Sequence, residues 1–270
     1  LRAAFGHFMS AEWTRETPRA RALHTFIELE SWWLTDYALF RALHDREGGA
    51  AWLDWPAGIR NREPDALTEA RTALADQVRY YQYVQWVASE QWADARAQAA
   101  QAGVALFGDL PFMVDLHSAD VWAHQADFHL DRSVGVPPDA FSATGQDWGM
   151  PAYNWPACAD DGFRWLRDRA RRSAALFDGY RVDHLVGFYR TYSRPRGGEG
   201  DAAFAPADEA AQVALGERVL AIFGEPGTEI IAEDLGVVPD FVRASLERLE
   251  VPGFRVFRWE REWDTDGQPF

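Results

Sequence analysis

The chain has 270 residues, 42 of them acidic and 27 basic, for a formal net charge of −15. Every basic residue other than histidine is an arginine, so mechanisms that need a lysine amine, as a Schiff base or in a phosphate-binding loop, are excluded. The acidic balance argues against nucleic acid, whose phosphates need clustered cations, and no apolar run approaches the roughly 18 residues of a membrane span. One cysteine, Cys158, cannot close an internal disulfide, and Leu1–Ser10 carries no secretory pattern, so a cytoplasmic protein is expected. Aromatic residues make up 14% of the chain, including 13 tryptophans. Most are expected in the core, although flat rings with a polar edge also suit sugar faces.

The first hundred residues read as helix. From Thr25 to Arg46, Phe26, Leu29, Trp33, Leu34, Tyr37, Phe40 and Leu43 recur at steps of three and four, and Gly48 and Gly49 stop the pattern. A longer helix is expected after Pro64, through Tyr80, Tyr81, Tyr83 and Trp86 to Ala102 before Gly103. Beyond Gly103 the pattern alternates. Strands are expected at 104–107, 178–183, 229–233 and 254–259, and helices at 162–177, 207–223 and 239–250. Such alternation predicts parallel strands, either doubly wound or in a (β/α) barrel. The stretch 115–160 is far longer than a structural connection needs and is expected to serve function, whereas 194–201 reads as a flexible excursion.

Three expected strands end in a carboxylate: Asp109, Asp183 and Glu233. In a parallel barrel such acids converge at the C-terminal face. Neighbouring strands about 4.8 Å apart suit the roughly 5 to 5.5 Å carboxyl separation of a retaining glycosidase pair. Arg181 and Asp183 are two apart on one strand and share a face, so the guanidinium would hold the carboxylate ionised, as a nucleophile requires. Glu233 follows Ile230, Ile231 and Ala232, an apolar setting that raises a carboxyl towards general-acid strength. An ordinary ion pair would account for Arg181 and Asp183 alone; the repetition at three strand ends favours catalysis. His117, His124, Asp127 and His129 match no zinc spacing, no Gly-x-Ser-x-Gly elbow is present, and nothing marks Cys158 as a nucleophile.

The stretches Gly108-Asp-Leu-Pro-Phe-Met-Val114, Ser118-Ala-Asp-Val-Trp-Ala-His124, Gly135-Val-Pro-Pro-Asp-Ala-Phe-Ser-Ala-Thr-Gly-Gln-Asp-Trp-Gly149, Arg181-Val-Asp-His184 and Ile231-Ala-Glu-Asp-Leu-Gly236 closely resemble the bacterial 4-α-glucanotransferases (amylomaltases) of glycoside hydrolase family 77. The resemblance implies an α/β fold, a partial (β/α)8 TIM barrel of the α-amylase clan with a mostly helical insertion. Residues 1–103 would form the insertion and 104–270 the barrel, with about its third to sixth strands. It implies action on maltooligosaccharides and α-1,4-glucans without cofactor or metal. By the same resemblance Asp183 matches the nucleophile, Glu233 the general acid/base and Arg181 the arginine that orients the nucleophile. Asp109, Phe141, Ser142, Gln146, Trp148 and His184 match sugar contacts. Two positions depart from the family pattern: His117 stands where an aspartate is usual and Met150 where an asparagine is usual. The family's third carboxylate, in a Thr-His-Asp motif, and the early barrel strands are not in the 270 residues. A central fragment with little or no activity alone is therefore expected. A hydrolase of the same clan, or a non-catalytic glucan-binding piece, are the other readings.

Overall fold

The computed structural model describes residues 1–138, 142–197, 201–256, 261–262 and 268–269. The chain divides into two compact units, one made of Leu1–Ala102 with His117–Gln125, the other of Gly103–Leu116 with Ala126–Phe270.

The first unit is helical, with α1 (Arg2–Ala11), α2 (Pro18–Leu29), α3 (Ser31–Arg46), α4 (Ala57–Arg60), α5 (Pro64–Ala73), α6 (Ala75–Gln101) and α7 (Ala119–Ala123). Each of the two long helices expected from periodicity is broken once, at Glu30 and at Leu74. At the first break the Glu30 carboxylate accepts the indole N–H of Trp33, a local partner that competes with continued helix. Thr17 caps α2, accepting from the Ala20 N–H, and Pro18 occupies its first turn. One cluster joins Phe8, Leu23, Tyr83 and Trp86. A second sets Phe40 against Trp55 and Trp122, with ring centroids 5.3 and 5.7 Å away. The Trp122 indole donates to the Ile59 carbonyl at 3.0 Å and Arg62 lies over its ring, which ties α7 to the helices. Ser118 starts that short helix by capping Val121.

The second unit carries β1 (Phe107–Leu110), β2 (Phe128–Val136), β3 (Gln146–Tyr153), α8 (Trp155–Asp160), α9 (Arg164–Leu176), β4 (Gly179–Val182), α10 (Val186–Tyr189), β5 (Thr191–Pro195), β6 (Ala203–Ala205), α11 (Glu209–Gly224), β7 (Glu229–Ala232), α12 (Asp240–Arg248), β8 (Arg261–Glu262) and β9 (Gln268–Pro269). Strands β1, β4 and β7 form a parallel sheet in that order, with Leu110, Val182 and Ala232 in register at its C-terminal end. Tyr180, Val182 and Ala232 are fully buried. The Tyr180 hydroxyl donates to the Phe223 carbonyl of α11 at 2.6 Å. This parallel α/β arrangement is the partial barrel expected.

Four details differ from the expectation. The first strand begins at Phe107 rather than at residue 104, so Asp109 lies within the strand. Where a fourth strand was expected at 254–259, the described residues contain a single parallel bridge, Ala232 to Gly253, and residues 257–259 lie outside the described set. The long connection is not a loop throughout: β2 and β3 pair antiparallel, and β5 and β6 extend them to a four-stranded sheet ordered β3-β2-β5-β6. The excursion expected at 194–201 includes the end of β5; residues 198–200 lie outside the described set.

One glycine in α11 is set by packing rather than by backbone conformation. A Cβ at Gly216 would lie 2.3 Å from ring atoms of Tyr189. That ring is fully buried, and its hydroxyl is hydrogen bonded to Ser245 at 2.9 Å, so it cannot swing away. Ala in place of Gly gains at most about 1 kcal/mol of helix propensity, whereas overpacking costs about 1–3 kcal/mol. Gly216→Ala is therefore expected to lower stability in urea unfolding, and a rise would contradict this packing.

Candidate active site

The parallel register brings the strand-end residues to one place. Asp109 on β1 is paired with Arg181 on β4, so both side chains leave the same face of the sheet. Arg181 Nη1 donates to both Asp109 carboxylate oxygens at 2.8 and 2.9 Å, and Nη2 donates to Asp183 Oδ1 at 2.7 Å. One guanidinium thus holds two carboxylates on adjacent strands. Burial opposes the charge of Arg181, but hydrogen bonds and charges from Asp109 and Asp183 outweigh it and raise its pKa. The cation is permanent.

Glu233 continues from β7 on the neighbouring strand. Its N–H donates to the Val182 carbonyl at 2.9 Å, while the Asp183 N–H donates to Leu110 at 3.0 Å, so ladder bonding continues past the last paired residues. The Glu233 carboxylate accepts from the N–H of His184 at 2.8 Å and from that of Leu235 at 3.1 Å. Burial pushes its pKa up, and the approach of Asp183 adds to this. The two backbone N–H groups and Arg181 pull the other way without cancelling it. A carboxyl above its ordinary value thus stands beside a carboxylate hydrogen bonded to arginine.

His184 occupies left-handed backbone, with φ of 41°, which turns its N–H towards Glu233. Its ring lies 5.3 Å from that of Phe112 and 4.9 Å from that of Trp148, the latter edge to face. Burial lowers its pKa to about 4, with only partial opposition from Asp183, so the imidazole is neutral near pH 7. Because the folded value lies below the ordinary 6.5, the unfolded chain binds the proton more readily between those limits. Stability from this residue is therefore present above about pH 6.5 and is lost as pH falls towards 4, by at most about 3 kcal/mol. Comparing urea unfolding at pH 7 and pH 4.5, the wild-type protein is expected to lose more stability than His184→Asn. Equal losses would contradict the assignment.

Trp148 and Gln146 lie on one face of β3, and the Trp148 indole donates to Gln146 Oε1 at 3.0 Å. Asp147 faces the other way and accepts from Ser133 and from the Gly149 N–H, contacts that lower its pKa and pin the strand. Ser142 is engaged within its own turn, donating to the Gly145 carbonyl at 2.8 Å. Phe141 lies outside the described residues. Asp109, Arg181, Asp183, His184, Glu233 and Trp148 therefore form one connected set. Sequence reasoning missed Phe254, whose ring lies 5.6 Å from the Arg181 guanidinium carbon. It also missed Asp234, which is 6% exposed, accepts the Phe254 N–H at 2.9 Å and pairs with Arg243 and Arg255. Asp234 stands beside Glu233 in sequence, but its partners are 9 and 21 residues away. No local pattern signals them.

Among the described residues no three His, Cys, Asp or Glu side chains are grouped to hold a metal ion. His117 and His124 belong to the helical unit, Asp127 and His129 to the other. Burial, with Asp161 adding to it, raises Asp127 to about 6, and burial pushes the Cys158 thiol to about 12, the behaviour of an inert core thiol. Among the described residues no helix is long and apolar enough to cross a membrane.

The glycoside hydrolase family 77 model, described as 4-alpha-glucanotransferase, matches residues 1–270. The chain belongs to that family. It is 39% identical over 271 residues to the 4-alpha-glucanotransferase of Thermus thermophilus, covering 96% of this chain and 52% of that protein. The amylomaltase of Streptococcus agalactiae, solved in complex with acarbose, superposes with a TM-score of 0.81 at 30% identity, over 94% of this chain and 52% of that one. The amylomaltase of Corynebacterium glutamicum superposes with a TM-score of 0.71 at 28% identity, over 93% and 33%. This family 77 chain spans about half the length of the curated relatives it matches.

Proposed function

We propose that this chain carries the catalytic pair of a 4-α-glucanotransferase that moves α-1,4-glucan segments between maltooligosaccharides by a retaining double displacement. The observation that carries the reading is Arg181 clamped between Asp109 and Asp183 beside the elevated carboxyl of Glu233. In the first step an Asp183 oxygen attacks C1 of the donor sugar. The C1–O bond to the leaving glucan breaks as the Glu233 proton passes to that oxygen, leaving a β-glycosyl ester. In the second step the Glu233 carboxylate takes the proton of an acceptor 4-hydroxyl. The acceptor oxygen then attacks C1 and displaces Asp183, so the α-linkage returns and the acid is reset.

Arg181 aims Asp183 through the hydrogen bond from Nη2 to its Oδ1. Asp109 has 60% of its side chain exposed despite its arginine contact, which leaves oxygen lone pairs for hydroxyls of the donor sugar. Trp148 and Phe141 supply apolar surface for sugar faces, and Ser142, Gln146 and His184 polar contacts. The acarbose complex of the streptococcal relative supports a maltooligosaccharide-type ligand here. A cytoplasmic setting belongs to the same proposal. The test is maltotriose incubation with the protein that carries this segment: glucose together with longer maltooligosaccharides is expected. Net growth of reducing ends would indicate hydrolysis instead and overturn the transferase reading.

A further inference from the structure

The second unit contains a cavity of about 480 Å³ that is separate from the strand-end acids and lies among β2, β3, β5, α8 and α11. Its volume is that of an ordinary small-molecule site. Most of its wall is apolar, from Ala152, Tyr153, Trp155, Pro156, Phe163 and Leu215. Arg132 and His129 also line it.

Arg132 is the informative residue. Its Nε donates to Ser193 Oγ and its Nη2 to the Ser193 carbonyl, both at 2.8 Å, and among the described residues it pairs with no carboxylate. A guanidinium has five N–H donors in a planar fork. Ser193 takes the side edge, so the end edge formed by Nη1 and the second Nη2 hydrogen is available. That edge matches the two oxygens of a carboxylate.

The remaining polar groups on the wall indicate what the rest of the ligand must be. The Thr191 hydroxyl donates to the Gly187 carbonyl at 2.9 Å and accepts from the Trp155 indole at 3.2 Å, and the Tyr153 hydroxyl donates to the Phe112 carbonyl at 2.5 Å. Trp155 and Tyr153 are 7% and 2% exposed and present little open ring face. A sugar entering here would leave several hydroxyls unpaired, at about 1–3 kcal/mol each, whereas an apolar body loses nothing.

We infer that this cavity is a binding site for an amphiphilic monocarboxylate, with its head on the end edge of Arg132 and its apolar body against Pro156 and Leu215. The site uses none of the residues of the glucan reading and stands or falls independently of it. Calorimetric titration of the protein with octanoate tests it. Saturable 1:1 binding with a Kd below about 1 mM is expected, with 1-octanol at least about tenfold weaker because it lacks the charged head. Arg132→Gln is expected to weaken octanoate by about tenfold or more. Leu215→Trp, which fills the cavity from α11 and leaves the guanidinium in place, is expected to abolish binding if Arg132→Gln does not fold. No octanoate binding up to about 10 mM would overturn the site. So would octanol as tight as octanoate, full binding by Leu215→Trp, or displacement of octanoate by maltotriose.

Discussion

Asp183→Asn, made in the protein that carries this segment, is expected to lower kcat/KM for maltotriose disproportionation by on the order of 10⁴-fold or more, with little change in KM. The amide is nearly isosteric, so Arg181 keeps its place through Asp109, and what disappears is an oxygen able to form the glycosyl ester. The competing account treats the pair as structural. Asp183 has 41% of its side chain exposed and Arg181 29%, and ion pairs that exposed contribute about 0–1 kcal/mol to stability and nothing to rate. The two accounts therefore differ by several orders of magnitude in rate, while both expect an almost unchanged melting temperature. Azide added to this variant is expected to attack C1 directly and give the β-glycosyl azide. Activity above about a tenth of wild type would remove Asp183 as nucleophile.

Glu233→Gln is expected to cost about 10²–10⁴-fold with maltotriose, the usual contribution of a positioned acid. The loss should be much smaller with an α-glucosyl fluoride donor, because fluoride departs without a proton. Azide here would meet the β-glycosyl enzyme and give the α-glycosyl azide, the opposite anomer from the Asp183 variant. The pH profile adds an independent check. As burial raises Glu233 above an ordinary carboxyl, rate falls as pH rises through that value, and this alkaline limb should vanish in Glu233→Gln. An unchanged alkaline limb would assign the acid to another group.

The grouping of Asp109, Arg181, Asp183 and Glu233 was legible from sequence because strand chemistry is local. Alternation fixes which face Arg181 and Asp183 share, and an apolar run ending in an acid marks Glu233 wherever the strand lies. The Trp148 contact with His184 and the Arg181 contact with Phe254 were not legible, since each joins segments far apart in the chain through side-chain shape alone. Helix boundaries failed for a similar reason. The apolar period runs unbroken through Glu30 and Leu74, whereas the break at Glu30 accompanies a side-chain partner that does not enter a periodicity. The antiparallel sheet escaped notice because residues 137–145 separate β2 from β3 in the sequence, in place of a two-residue turn signal.

Composition excluded lysine chemistry, spacing indicated parallel strands with acids at their ends, and resemblance of several stretches pointed to the family to which the chain belongs. Those are properties of residue type and of period, which folding does not alter. Tertiary packing settled that one guanidinium spans two strands, that the His184 N–H meets Glu233, that residues 117–125 pack among the helices of the first unit, and that Arg132 lines a cavity while donating to Ser193. Each of these depends on register and close approach between distant segments, and no one-dimensional pattern encodes such distances.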